Sequence, residues 1–566
     1  MSPRHSTVRL IVILIALVAG VIAMRLPAQP LPGNAVTAGT AARGRGTEVV
    51  GAVHVHTTHS DGALDIAGVV EEGRAAGLDF LLVTDHNTLA AKPQEGYHGD
   101  LLLIVGTEIS TDSGHVLAFG FDPPAYRFPR RALDVLRDIH DLDGVAIVAH
   151  PTSPRDGLAW TDPALPGAWG IEVLNGDTQW RAAGVPRMLL SGLLYPFNRQ
   201  YALTRLMTRP AAARMWDDLL ARRPTAGIVG ADAHTRLPSY EAVFRVARNH
   251  VVLDAPLSGD GARDAAAIAD ALAEGRAFIG VDGIAPTGGF FFVAERGGRS
   301  WTVGHSVPPH PRLALRAGGV DHPEAQFHLL KDGEVIDSAA GGLDVKAGSA
   351  GVYRVEVTLP GWNVPWIMSN PIYVLEQGDR QRRAASVALP PPARAPAPGA
   401  WLERFEGEPL FVEDADPTSS ITIAAEPRGG GGHGSAARIT FRLGADGAGD
   451  PAPYAAIVNT APGDLSAYEG LVLSLRADGV YRLALVLRDP NPRAPQDTEW
   501  WSAPLKTSAQ WGQVAVPFSD LRTRHPRVSD GQLDLDDLEA VLLIIDTAAM
   551  PPGAAGTLWI DDVGLY

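Results

Sequence analysis

Between residues 49 and 233 the chain repeats one pattern, a short apolar run followed by a helical stretch. The runs are VVGAVHV, DFLLVTD, LLLIVGTE, HVLAFGF, GVAIVAH, WGIEVLN and AGIVGAD, and amphipathic segments such as Asp65–Ala76 and Arg131–His140 lie between them. Strand and helix in alternation predict an α/β fold on a mainly parallel sheet. Seven runs predict a barrel rather than an open sheet, spanning about residues 49–285.

The ends of these runs carry the chemistry. His54 and His56 lie two apart on the first run. Residues i and i+2 of a strand share a face, so the two imidazoles either clamp one metal ion or are a pair of half-buried, hydrogen-bonded histidines. Asp61 follows in the next loop, His86 ends the second run, and Glu108 ends the third. His115 follows across a short turn, and His150, Asp232 and His234 close later runs. Most of these nine donors fall at or just past strand C-termini, the face on which α/β barrels build sites. One four-coordinate zinc would leave most of them idle. Two or three divalent ions fit better, with Glu108 as the natural bridge. Such clusters lower the pKa of a bound water and clamp both oxygens of an in-line displacement, which is phosphoester hydrolysis chemistry. Imidazole with carboxylate suits Zn, Mn or Fe. The chain has no cysteine, so thiolate ligands, disulfides and a thiol nucleophile are excluded. No G-x-S-x-G elbow, Walker loop or dinucleotide fingerprint occurs in the barrel, and the expected attacking group is water activated by the ions.

At these residues the chain resembles the polymerase-and-histidinol-phosphatase (PHP) family of metal-dependent phosphoesterases. The matching motifs are HVHTTHSDG, TDH, GTE, the His115 position, AHP and DAH, in family order. The resemblance implies a distorted (β/α)7 barrel with a two- or three-metal site. It also implies an allocation of donors: His54, His56, Glu108 and Asp232 to one ion; Asp61, His86 and His234 to a second; Glu108, His115 and His150 to a third.

The rest of the chain reads as delivery and accessory parts. Arg4 and Arg9 precede the apolar run Leu10 to Met24, which predicts a cleaved export signal or an uncleaved membrane anchor over residues 1–24. Either one places the body outside the cytoplasm, as a periplasmic, secreted or anchored protein. Residues 25–48 read as a tether. Residues 286–378 become all-β and predict a small sandwich, 379–399 form a Pro-rich spacer, and 400–566 predict a second all-β domain. The ending GTLWIDDVGLY resembles the jelly rolls of carbohydrate-binding modules and their galactose-binding-like relatives, which implies a glycan or cell-envelope ligand. Trp500, Trp501 and Trp511 offer sugar platforms or fill the core, and Asp561 and Asp562 join a calcium site or simply end a strand. The glycine run at 429–432 reads as a flexible loop.

Net charge is −16, from 64 acids against 48 bases, which argues against a nucleic-acid-binding surface. One insert reverses that sign. Residues 181–223 hold eight arginines against Asp217 and Asp218 alone. The insert reads as a lid that guides an anionic, phosphorylated substrate, as a patch facing anionic lipid, or as a solvated helix pair. Arg205 and Arg209 within it are candidate substrate contacts. So are Arg155, just after AHP, and Asn175, just past a strand end, with a surface ion pair and a helix cap as their structural alternatives. Three functions compete: a metal-dependent phosphoesterase, a metal-dependent hydrolase of another bond, and a glycan-binding protein with the barrel as scaffold.

Overall fold

The computed structural model describes residues 46–164, 167–381, 389, 394–427, 434–445 and 452–566. The expected signal or anchor at 1–24, nearly all of the tether, most of the Pro-rich spacer and the glycine run at 429–432 lie outside the described residues. Among the described residues no helix is long and apolar enough to cross a membrane. The chain divides into two compact units, Met1–Pro123 with Arg130–Pro390, and Pro124–Pro129 with Pro391–Tyr566.

Seven strands of the first unit close a barrel: β1 (Thr47–Val55), β2 (Phe80–His86), β3 (Leu101–Thr111), β4 (Gly114–Phe119), β5 (Val145–Val148), β6 (Gly170–Asn175) and β7 (Ala226–Ala233). β1, β2 and β3 pair in parallel, as do β5, β6 and β7, and β7 returns in parallel to β1. The expected regularity of a (β/α)7 barrel stops at β4, which runs antiparallel to both neighbours. The cause is local: β3 and β4 are joined by a tight turn ending at Gly114, whose φ of 121° suits only glycine, and no helix fits there. Helices are distributed unevenly. α1 (Ile66–Ala75) links β1 to β2, and α2 (Ala132–Asp141) links β4 to β5. α3 (Gly176–Ala182), α4 (Val185–Leu194), α5 (Arg199–Thr204) and α6 (Ala212–Leu220) all lie between β6 and β7.

Side-chain alternation sorts the barrel into an inner and an outer layer. Val49, Val53, Phe80, Leu82, Leu102, Ile104, Leu117 and Ile147 form the interior. Ile268 and Leu272 of a helix at Gly261–Ala273 join the same cluster, beside residues that begin the strands. Val50, Ala52, Leu81 and Val83 face outward onto Ile66 and Val69 of α1, a helix started by Asp65, whose carboxylate accepts the Gly68 N–H at 2.9 Å.

The expected boundary at residue 285 is not a break in the sheet. Arg248–Leu253 pairs antiparallel with the first half of β1, Ala277–Gly280 pairs with it in turn, and Ile367–Ser369 pairs with Ala277–Gly280. The strands after 286 divide between a separate four-stranded sheet, Phe291–Arg296, Arg299–Thr302, Ala314–Gly318 and Leu343–Lys346, and an extension of the barrel's own sheet. Their core also takes Phe278, from the barrel side of the boundary, beside Phe292, Phe327 and Val355. That shared core is why this region belongs to the barrel's unit.

His250 lies at this junction, buried between Glu48 Oε1 at 2.7 Å and Asp282 Oδ2 at 3.2 Å. Burial opposes its charge, but Asp282 and Glu48 outweigh that and push its pKa up to about 9. A folded pKa above the unfolded value of ~6.5 stabilises the protein fully below that value, and the contribution fades as pH rises through about 9. The expected loss between pH 6.5 and 9.5 is on the order of 3 kcal/mol. Urea unfolding at those two pH values should show it in the native chain and much less of it in His250→Gln.

The second unit is two six-stranded antiparallel sheets. One is built on Ala555–Leu565 and Gly470–Ala477, the other on Ala540–Asp546 and Arg482–Pro490. Leu473, Leu485, Leu543 and Ile560 fill the space between them, and Tyr126 joins that core from the segment Pro124–Pro129.

Candidate metal centre

The first two ligands depend on an irregularity that simple alternation does not contain. Val50 and Ala52 face outward, so strict period-2 order would send His54 and His56 outward as well. Instead His54 takes a φ of 66°, and the register of β1 shifts between Val53 and Val55 against both neighbouring strands. The bulge reverses parity: Val55 joins the outer layer, and both imidazoles turn into the barrel end with ring centroids 5.1 Å apart. His150 and Asp232 also have positive φ, 29° and 52°. Strained backbone at three ligand positions marks a site whose geometry is enforced by its surroundings.

Glu108, near the end of β3, is the hub. Its Oε1 lies 2.7 Å from His115 Nδ1 and 2.8 Å from His150 Nε2. Its Oε2 lies 3.1 Å from His54 Nε2 and 3.2 Å from both His56 Nε2 and His86 Nδ1. Asp232 Oδ1 faces His54, His56 and His234 at 3.4–3.7 Å. Asp61, on the loop after β1, reaches His56, His86 and His234 at 3.5–3.7 Å. All nine expected donors therefore converge. They fall into four overlapping groups: His56, Asp61, His86 and His234; His54, His56 and Asp232; His54, Glu108 and His150; His86, Glu108 and His115. Burial works against a charge on Glu108, but His54, His115 and His150 hold its carboxyl well below the usual range. Burial likewise works against Asp232, and His54 outweighs it, bringing its pKa to about 2.

The cluster fits divalent cations on its own chemistry. Buried polar atoms are normally hydrogen-bonded. Here His56 Nε2, His86 Nδ1 and His150 Nδ1 are buried without a hydrogen-bond partner, the first two close to Glu108 but out of alignment with it. Five imidazoles around one carboxylate are too many for hydrogen bonding alone and suit a bridged cluster of borderline-soft ions.

Two supporting residues stand outside the nine expected donors: one in no motif, the other the middle residue of TDH. Glu172 on β6 is buried; its Oε1 accepts from His54 Nδ1 at 2.7 Å and its Oε2 from the His150 N–H at 2.6 Å. It thereby holds the proton of His54 on Nδ1 and aims Nε2 at the centre. A Cβ at Gly230 would lie 1.8 Å from Glu172 Oε1, so glycine there is what lets the carboxylate in. The available cue was an acid inside an otherwise apolar strand. Asp85 is the second: it accepts from the Thr57 N–H and hydroxyl and from Ser60, at 2.6–2.7 Å, and so pins the loop that presents Asp61. Glu172→Ala should weaken metal affinity about 10- to 100-fold with every ligand intact, as read by metal titration.

The expected substrate contacts divide. Arg155 lines a cavity of about 280 Å³ beside Asp61, Asp232 and His234, and Arg181 and Trp180 of α3 line it too. Asn175 instead caps α3 through Thr178 N at 2.9 Å and donates to Glu172 at 2.8 Å and Asp232 at 3.1 Å, so it positions carboxylates. Arg205 and Arg209 turn away from the cavity. Arg209 forks onto Glu356 at 2.8 and 2.9 Å, and Arg205 donates to Gly361 O at 2.8 Å with its guanidinium 4.9 Å from the Trp362 ring. Glu356 is buried, and a buried carboxylate recruits the nearest cations.

In the second unit, Trp501 is in the core and donates to Asp489, while Arg488 and Arg476 lie over Trp500 and Trp511. Among the described residues, Asp561 and Asp562 join no group of three metal-binding side chains; Asp562 pairs with Arg404 at 3.2 Å.

No protein-family profile and no curated protein matches the chain. Solved structures do. A two-domain protein from Bacteroides vulgatus containing a predicted PHP-like metal-dependent phosphoesterase is 16% identical, covers 57% of this chain and 95% of its own, and has a TM-score of 0.29. A family 11 carbohydrate-binding module from Clostridium thermocellum, in complex with a beta-1,3-1,4-mixed-linked tetrasaccharide, is 17% identical over 29% of this chain and 94% of its own, with a TM-score of 0.25. A family 30 carbohydrate-binding module of a Clostridium thermocellum cellulosomal cellulase is 13% identical over 31% and 94%, with a TM-score of 0.20. At TM-scores this low the likenesses assign no family.

Proposed function

We propose that the chain is an exported hydrolase of phosphate esters that works with two or three divalent ions, Zn, Mn or Fe, held by His54, His56, Asp61, His86, Glu108, His115, His150, Asp232 and His234. The observation that carries this reading is one buried carboxylate, Glu108, within 3.2 Å of five imidazoles. Ions bound there would supply an activated water and neutralise charge on the phosphoryl oxygens. The chain supplies the rest. Glu172 and Asn175 hold His54 and Asp232 in place. Arg155 offers a guanidinium group to an anionic substrate at the cavity, and Arg181 stands beside it with its Nε held by Asp177 at 2.6 Å. The cavity is also lined by Leu174, Leu203, Met207, Val229 and Val243, which suit an apolar portion of the ester. Export is supported by Arg4 and Arg9 ahead of Leu10 to Met24. The paired sheets of the second unit, with the ending GTLWIDDVGLY, support a glycan or cell-envelope ligand for that unit.

The test is a panel of phosphomonoesters, phosphodiesters and carboxyl esters, each assayed with added Mn, Fe or Zn. Metal-dependent turnover of a phosphoester, abolished by chelator, is the expected result. Turnover of carboxyl esters alone would reassign the bond, and no turnover with metals bound would leave the barrel a scaffold.

A further inference from the structure

Helix α4 inverts the usual arrangement, in which a surface helix buries its apolar stripe. Only Ser191 and Leu194 of its ten residues are buried. Val185, Met188, Leu189, Leu190 and Leu193 are 41–68% exposed, and Phe197 just beyond is 51% exposed. Leu237, at 76%, stands on a loop whose Ser239 N–H donates to the Tyr195 hydroxyl at 3.1 Å. These seven make up more than half of the 13 large apolar side chains exposed among the described residues, so the patch is concentrated rather than scattered. The helix is fixed from beneath: Ser191 Oγ donates to Ala202 O at 2.8 Å, and Leu194 packs with Ala202, Tyr195 and Tyr201.

Its charge is of one sign. From residue 178 to 216 the chain has six arginines and no acid, although its total is −16. Arg205 and Arg209 are engaged with Gly361 and Glu356. Arg187 and Arg199 remain exposed at the apolar face, and Arg236, exposed but donating to Ala63 O at 3.1 Å, adjoins Leu237. Apolar side chains rimmed by arginine match the boundary between lipid headgroups and acyl chains. Met24, the end of the apolar run, is 23 residues before Thr47, a span of at most about 83 Å when extended, so an anchored chain would keep this unit near a bilayer.

We propose that α4 docks this unit on an anionic lipid bilayer, with its apolar face in the headgroup–acyl boundary and Arg187, Arg199 and Arg236 on lipid phosphates. Only Ala183 and Gly184 separate α4 from α3, whose Trp180 and Arg181 line the cavity, so docking holds the cavity at the lipid surface.

Because the chain lacks cysteine, a full-length Leu189→Cys variant accepts a single environment-sensitive fluorophore. On phosphatidylglycerol vesicles its emission should shift to the blue and be quenched by nitroxide-bearing lipid, with a weaker response on phosphatidylcholine. A label at Val335→Cys, 56% exposed on the strand Glu334–Ala340, should do neither, which separates insertion of α4 from tethering by the N-terminal run. Adding Arg187→Glu and Arg199→Glu should reduce the quenching several-fold. An unchanged Leu189→Cys signal on vesicles overturns the proposal. So does a blue shift without lipid that grows with protein concentration, which would assign the face to a second copy.

Discussion

Replacing Glu108 by alanine should cost the protein at least one bound ion and about 10³-fold or more in phosphoester turnover, a loss of roughly 4 kcal/mol or more in transition-state stabilisation. The size follows from position. Glu108 is the one carboxylate that faces His54, His56, His86, His115 and His150 together, with both oxygens engaged. Its loss also removes the negative charge that offsets clustered cations in a buried site, where an uncompensated charge is most costly. His115→Ala should cost less, because His115 faces only one of those oxygens. Metal content and turnover, measured on both variants, separate the two cases. Equal effects would remove the support for a bridging role.

The largest expected effect on stability is at Arg354. This guanidinium is buried, forks onto Asp217 at 2.7 Å through both Nε and Nη2, donates to Glu356 at 2.7 Å, and lies 5.2 Å from the Trp216 ring. Burial opposes its charge, but Asp217 and Glu356 outweigh that and raise its pKa. Arg354→Ala leaves two carboxylates facing a void, and breaking a buried pair from one side typically costs ~3–5 kcal/mol. The double change Arg354→Leu with Glu356→Leu should cost less than the single, since it removes the more buried of the two carboxylates and leaves only the part-exposed Asp217 without its partner. Arg209→Ala should cost less still, because that side chain is 55% exposed and solvent screens its bond to Glu356. Urea unfolding of the three variants gives the ranking, and a single change milder than the double would contradict it.

These two sites also mark what was legible in the chain and what was not. The metal donors were legible because metal-binding residue types recur where apolar runs end, a local pattern with a chemical meaning. The parity switch at His54 was not, because alternation alone assigns the same face to Ala52, His54 and His56. Glu172 was hidden inside an apolar run, with only its charge to betray it. The arginines of the insert were visible as a sign reversal, yet their partners Glu356 and Gly361 lie some 150 residues away, and no local spacing encodes that pairing. The barrel was expected from seven runs, but its antiparallel β4 follows from the turn at Asp112–Ser113, which apolar counting ignores. Composition suggested a change of domain near residue 285, whereas hydrogen bonding carries the sheet across it through Ala277–Gly280 and Ile367–Ser369.

Elemental analysis of the full chain, purified without chelator and again after reconstitution with Mn, Fe or Zn, tests the multinuclear centre most directly. Nine donors in four overlapping groups predict two or three ions per chain. One ion or none after reconstitution would contradict it.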